Sequence, residues 1–315
     1  MSCLFPVVRR VLGVALFVMA ASTASAQDAF QTFKQLDSTA KMPKLNAFSP
    51  NIGSAAIPSP ARTVAFEARL TADGSPMQQG LSWRVFSPIP GADGKLPLLA
   101  TAEGGSADFQ LMPGDYFVNV AFGRAGATKK LTVEGSGDMD RQVLVLDAGG
   151  VILNAVTGSD LRVPPKDLKF DVYAGEARED GDRGLIMADV APNTVVRLNA
   201  GTYHIVSEYG DINAVVRADI KIEPGKLTEA TIQHRAAQIN LKLVSVEGGE
   251  AVADTAWSVL TSSGDIVAES VSAFPTMILA EGDYTAIARN KDKIYQKDFQ
   301  VTAGRSADVE LLLTQ

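Results

Sequence analysis

From residue 63 onward the chain alternates apolar and polar positions in short runs. Val64-Ala65-Phe66-Glu67-Ala68-Arg69-Leu70, Ile239-Asn240-Leu241-Lys242-Leu243 and Val309-Glu310-Leu311-Leu312-Leu313 are examples, and Tyr116-Phe117-Val118-Asn119-Val120 is rich in aromatic and β-branched residues. A period of two sends successive side chains to opposite faces, so each run predicts a β-strand with one buried face. Asp73-Gly74, Asp93-Gly94, Pro113-Gly114, Asp180-Gly181, Pro224-Gly225 and Ser263-Gly264 fall between the runs and predict turns. No helical period is sustained in this region. The pattern predicts an all-β fold.

The strands recur within a larger unit. An aromatic-x-Val strand is followed by a Gly-x-Tyr strand, an apolar strand before a glycine turn, and a last apolar strand. The first copy is Trp83/Val85, Gly114-Asp115-Tyr116, Leu131-Thr132-Val133 and Val143-Leu144-Val145-Leu146. The second is Phe170/Val172, Gly201-Thr202-Tyr203, Ile220-Lys221-Ile222 and Ala230-Thr231-Ile232. The third is Trp257/Val259, Gly282-Asp283-Tyr284, Phe299-Gln300-Val301 and Val309-Glu310-Leu311-Leu312. A repeat of roughly 80–90 residues can close its own core, unlike solenoid units of roughly 20–45 residues. The expectation is three tandem small antiparallel β-sandwich domains, at 61–147, 148–235 and 236–315, with short linkers that limit their relative freedom.

Each repeated residue has a structural role to play. The glycines Gly114, Gly201 and Gly282 suit a tight turn at positive φ. Tyr116, Tyr203 and Tyr284 are expected to bury their rings and reach a backbone group with the hydroxyl. Trp83, Phe170 and Trp257 are expected to fill the core from a facing strand, the rival role being an exposed platform for sugars.

The first 60 residues differ. Arg9 and Arg10, the apolar run Val11 to Ala21 and the small-x-small site Ala24-Ser25-Ala26 form the layout of a cleaved signal peptide over 1–26. The apolar run is too short to span a bilayer, so the mature chain is not expected to cross a membrane. Residues 27–60 read as a leader: an amphipathic helix over Asp28 to Lys41, then a linker with prolines at 43, 50, 58 and 60. Cys3, the one cysteine, lies in the signal, so the mature chain has no thiol for a disulfide, nucleophile or metal. Export without disulfides points to a periplasm or a bacterial surface.

The run Phe109-Gln110-Leu111-Met112-Pro113-Gly114-Asp115-Tyr116-Phe117-Val118, and Ile278-Leu279-Ala280-Glu281-Gly282-Asp283-Tyr284 with it, resembles the carboxypeptidase-regulatory, or transthyretin-like, sandwich repeat. The repeats are also similar to Ig-like modules of alphaproteobacterial envelope proteins, some of which carry a von Willebrand A domain. That domain's Asp-x-Ser-x-Ser metal motif is absent from this chain. The resemblance spans residues 63–315 at repeat level and implies a sandwich fold more than an activity.

Charge and chemistry narrow the function. The formal net charge is −7, and removing Arg9 and Arg10 makes it more acidic. No basic cluster offsets this, so nucleic acid is not an expected partner. His204 and His234 are the two histidines, both in the second unit; strands in register could bring them to one metal. The acidic run Glu176-Ala177-Arg178-Glu179-Asp180-Gly181-Asp182-Arg183 has a loose likeness to a calcium loop, but Arg178 and Arg183 oppose a cation and a solvated hairpin loop is the simpler reading. Loops 88–94 and 273–275 offer Ile89 and Phe274 to a partner if they are exposed. No nucleophile elbow, phosphate loop or zinc helix is present. No catalytic, cofactor-binding or metal residue is therefore assigned. The expected function is a non-enzymatic module that binds an envelope protein or spaces one from another, with an envelope glycan as the alternative ligand.

Overall fold

The computed structural model describes residues 60–313. The expected signal peptide and almost all of the expected leader lie outside the described residues. The first set of strands is β1 (Arg62–Arg69), β2 (Leu81–Phe86), β3 (Leu98–Gly104), β4 (Ala107–Leu111), β5 (Gly114–Phe122), β6 (Ala125–Val133) and β7 (Gln142–Val145). The second is β8 (Ala148–Thr157), a short β9 (Leu161–Arg162), a 3-10 turn at Pro165–Asp167, then β10 (Leu168–Ala177), β11 (Arg183–Val190), β12 (Val195–Asn199), β13 (Gly201–Tyr209), β14 (Val215–Ile222) and β15 (Leu227–His234). The third is β16 (Ala236–Val244), β17 (Thr255–Thr261), β18 (Ile266–Val271), β19 (Thr276–Ala280), β20 (Gly282–Asn290), β21 (Lys293–Val301) and β22 (Ala307–Leu312).

One topology is used three times. The first strand of each set lies between two neighbours, giving β4-β1-β7, β12-β8-β15 and β19-β16-β22. The facing sheets are β3-β2-β5-β6, β11-β10-β13-β14 and β18-β17-β20-β21. Pairing is antiparallel with one exception per set: β1 with β7, β8 with β15 and β16 with β22 run parallel. The last strand of each set therefore arrives by a crossover from the facing sheet, which a parallel pair requires.

Alternation builds the cores. Val64, Phe66 and Ala68 of β1 face inward, as do Leu241 and Leu243 of β16. Three separate apolar clusters result, around Phe66 and Trp83, around Leu153 and Phe170, and around Leu241 and Trp257. Trp83, Phe170 and Trp257 have essentially no exposed surface. The two indoles keep a partner in that burial: Trp83 Nε1 donates to Gly105 O at 2.7 Å and Trp257 Nε1 to Ser272 O at 2.9 Å. These aromatics are core residues, and the sugar-platform role does not apply to them.

The tyrosine corner appears in all three sets. The hydroxyls of Tyr116, Tyr203 and Tyr284 donate to the carbonyls of Met112, Asn199 and Ala280 at 2.8, 2.9 and 3.0 Å. Tyr284 is buried, while Tyr116 and Tyr203 are half-buried. Gly114 and Gly201 sit at φ 152° and 153°, a region that only glycine enters readily. Gly282 falls outside it.

Successive sets are hydrogen-bonded end to end. Ala200 N donates to Asp147 O at 2.6 Å and Glu281 N to Arg235 O at 2.8 Å. Arg124 N donates to Arg197 O at 3.1 Å across the first joint, and Thr157 Oγ1 donates to Ala236 O at 2.6 Å across the second. Asparagines complete each joint. Asn199 bonds Gly126 through both amide atoms and donates to Leu146 O at 2.7 Å. Asn213 donates to Tyr284 Oη and accepts from Ala280 N, both at 2.9 Å. Ala148 is buried in the first cluster and Ala236 in the second, so each opening alanine seals the unit before it.

Candidate functional site

The two histidines are kept apart by the strands that carry them. His204 is on β13 and His234 on β15, in opposite sheets of the second unit. On β13, Ile205, Ser207 and Tyr209 point into the core, so His204 points outward. It meets Asp219 of β14 directly across the ladder, Nδ1 to Oδ1 at 2.7 Å. His234 points inward and has no exposed surface. The two imidazoles therefore do not meet at one site: one faces outward from the sheet and the other faces the core. Among the described residues no three His, Cys, Asp or Glu side chains gather as a metal would need.

His234 has a chemistry that sequence reading misses. Its Nε2 lies 2.7 Å from Ser207 Oγ, and the Tyr209 ring meets it edge-on at 5.9 Å. Its Nδ1 is buried without a partner among the described residues. Burial pushes the imidazole down to about 4, because a charged ring there loses its hydration. Serine beside histidine is the pairing used by nucleophilic enzymes. Here both side chains are sealed, so no substrate reaches them. No local motif announces the pair, since the residues lie on facing sheets.

The acidic run forms the hairpin between β10 and β11. Arg178 N donates to Asp182 O at 2.8 Å and Gly181 N to Arg178 O at 2.9 Å. Asp182 N donates to Asp180 Oδ1 at 3.0 Å, an Asx turn. Arg183 Nη1 turns back onto Gly175 O. The carboxylate of Asp180 is thus used within the loop, as a solvated hairpin predicts.

What the surface offers instead is apolar side chains on edge strands. β3, β11 and β18 each pair on one side only. Leu99, Leu185, Ile266 and Val271 lie on them and are more than half exposed, Val271 at 81%. In the third unit Val271, Ala256, Arg289 and Ile294 align across all four strands of one sheet. Ile89 and Phe274, the loop residues of interest, are also exposed. Each of these edges carries a register irregularity against its neighbour, a device that discourages indiscriminate strand pairing. Among the described residues no helix is long and apolar enough to cross a membrane.

Residues 238–313, within the third unit, match the Rhizobiales growth-associated tandem repeat domain. No curated protein matches the chain. Among solved structures, the Bacillus anthracis TIE protein is similar over 81% of this chain and 50% of its own, at 14% identity and a TM-score of 0.23. The chain thus spans about half the length of that protein. The Streptococcal ancillary pilin is similar over 79% of this chain and 98% of its own, at 11% identity and a TM-score of 0.31. BcpA, the major pilin subunit of Bacillus cereus, is similar over 79% and 99%, at 12% identity and a TM-score of 0.22. Likenesses this distant carry no argument about function.

Proposed function

We propose that the protein is an exported, non-enzymatic cell-envelope module, in which three sandwiches, at 61–147, 148–235 and 236–315, hold sheet edges at fixed spacing for a partner protein. The observation that carries this reading is the row of exposed Leu99, Leu185, Ile266 and Val271 on edge strands of successive units. An edge strand offers unpaired backbone groups, and apolar side chains on it add contact area once water is excluded. The match of residues 238–313 to a tandem repeat domain supports repetition of such a surface. The repeated Gly-x-Tyr run keeps kinship with the carboxypeptidase-regulatory sandwiches part of the proposal. Periplasmic or surface location follows from the signal-like residues 1–26 and is part of it too.

The test is crosslinking of the tagged full chain in its native cells, followed by mass spectrometry. Leu99→Asp, Leu185→Asp, Ile266→Asp and Val271→Asp are made one at a time. All four positions are exposed, so the β signal in circular dichroism should persist. One dominant envelope protein should be lost with at least one substitution. An unchanged crosslinking pattern across all four removes the reading.

The alternative, an envelope polysaccharide module, draws on one feature. Tyr173 of β10 is half-exposed beside the His204–Asp219 pair on the outer face of the second unit. Sedimentation with purified sacculi that is lost in Tyr173→Ala would favour it over protein contact.

A further inference from the structure

Both joints bring the same two repeat positions together. Nine residues after the glycine that opens the Gly-x-Tyr strand stand Gly123 in the first unit and Gly210 in the second. Both turn the hairpin at left-handed φ, 66° and 71°. Four residues before the matching glycine of the following unit stand Arg197 and Ile278. A Cβ on Gly123 would lie 3.0 Å from Arg197 Cβ, and one on Gly210 would lie 2.8 Å from Ile278 Cβ. Carbon atoms pack at roughly 3.5–4.0 Å, so neither site takes a side chain while its joint is closed.

Backbone strain alone does not demand glycine here. The third unit puts Lys291 at the same position, at φ 54°. The hairpin therefore tolerates a side chain, and what excludes one from Gly123 and Gly210 is the unit that follows. The opposite end of the array differs as well. Pro113 occupies the place where Ala200 and Glu281 donate their joint N–H groups, and proline has no N–H to donate.

We infer that this hairpin position decides whether a sandwich can carry a successor: glycine admits the next unit, and a side chain refuses it. Lys291 closes the far end of the third unit to any further repeat docked in the geometry of the two joints. It closes the same end to the first unit of a second copy, where Pro113 removes a joint hydrogen bond besides.

The full chain tests this by amide hydrogen exchange. Gly210→Lys gives the second unit the third unit's residue. It should speed exchange at Ala280, whose N–H is held by Asn213, by about tenfold or more. Gly123→Lys should do the same at Arg124, whose N–H is held by Arg197 O. Amides of Ala286 and Ala288, inside the third core, report whether that unit stays folded. Should Gly210→Lys expose those as well, Gly210→Ala decides by the same amides, since its single methyl already meets Ile278. Wild-type protection at Ala280 and Arg124 in the lysine variants, or at Ala280 in the alanine variant where that one decides, overturns the inference.

Discussion

His234 shows how far one residue's setting can depart from its type. An imidazole ordinarily titrates near 6.5, but here it is buried against Tyr209 and Ser207 and titrates at about 4. A lowered value for a base means that the folded chain resists the proton which the unfolded chain accepts. Between about pH 6.5 and 4 the unfolded state therefore binds more protons, and stability falls as pH falls. Below about 4 both states are protonated and the effect levels off. The expected slope is of order 1 kcal/mol per pH unit across that window. Urea unfolding at pH 7, 6, 5 and 4.5 measures it. His234→Leu should be less stable at pH 7, since Ser207 loses its partner, yet have a shallower fall with acid. Equal slopes in the two proteins would show that carboxylates elsewhere, and not His234, set the acid response.

At the scale of elements, hairpins and edges decide what the sandwiches can do. The β10–β11 hairpin spends the Asp180 carboxylate on the Asp182 amide and brings Arg183 back to Gly175. A calcium ion would have to break that turn and displace a cation from its vicinity. Millimolar calcium should therefore leave the melting temperature unchanged, in the wild type and in Asp180→Asn alike; a rise of several degrees that Asp180→Asn abolishes would restore a calcium role. Strands were legible where one face is buried, because alternation then survives in the residues, as in β1, β16 and β22. The corners were legible because glycine, tyrosine and aromatic recur at fixed spacing. Edge strand β3 (Leu98–Gly104) carries a weak signal, since its inward Ala100 and Ala102 are small and none of its residues is fully buried. The parallel pairing of each set's last strand was not legible either: residue alternation is the same whichever way a neighbour runs. The Ser207–His234 pair and the Asn199 and Asn213 bonds join residues distant in sequence, and Gly123 and Gly210 read locally as ordinary hairpin glycines.

For the array of three units, the joints set how stability is shared. In a linear array each unit's stability is its own plus the interfaces with its neighbours. Here the interfaces reach into the cores, because Ala148 belongs to the first cluster and Ala236 to the second. Unfolding of one unit removes a wall from the unit before it. Calorimetry of residues 61–315 should accordingly give one dominant transition and not three independent ones. Asn213 is the place to cut this coupling, since its amide binds Tyr284 Oη and the Ala280 N–H together. Asn213→Ala leaves that N–H unpaired, at a cost of about 1–3 kcal/mol, and the loss falls on the second joint alone. The transition should then split, with the third unit melting apart from the first two. A uniform downward shift without splitting would mean that the units are coupled mainly through the opening alanines and the linker backbone, and that the asparagine only adds to a joint already closed by packing.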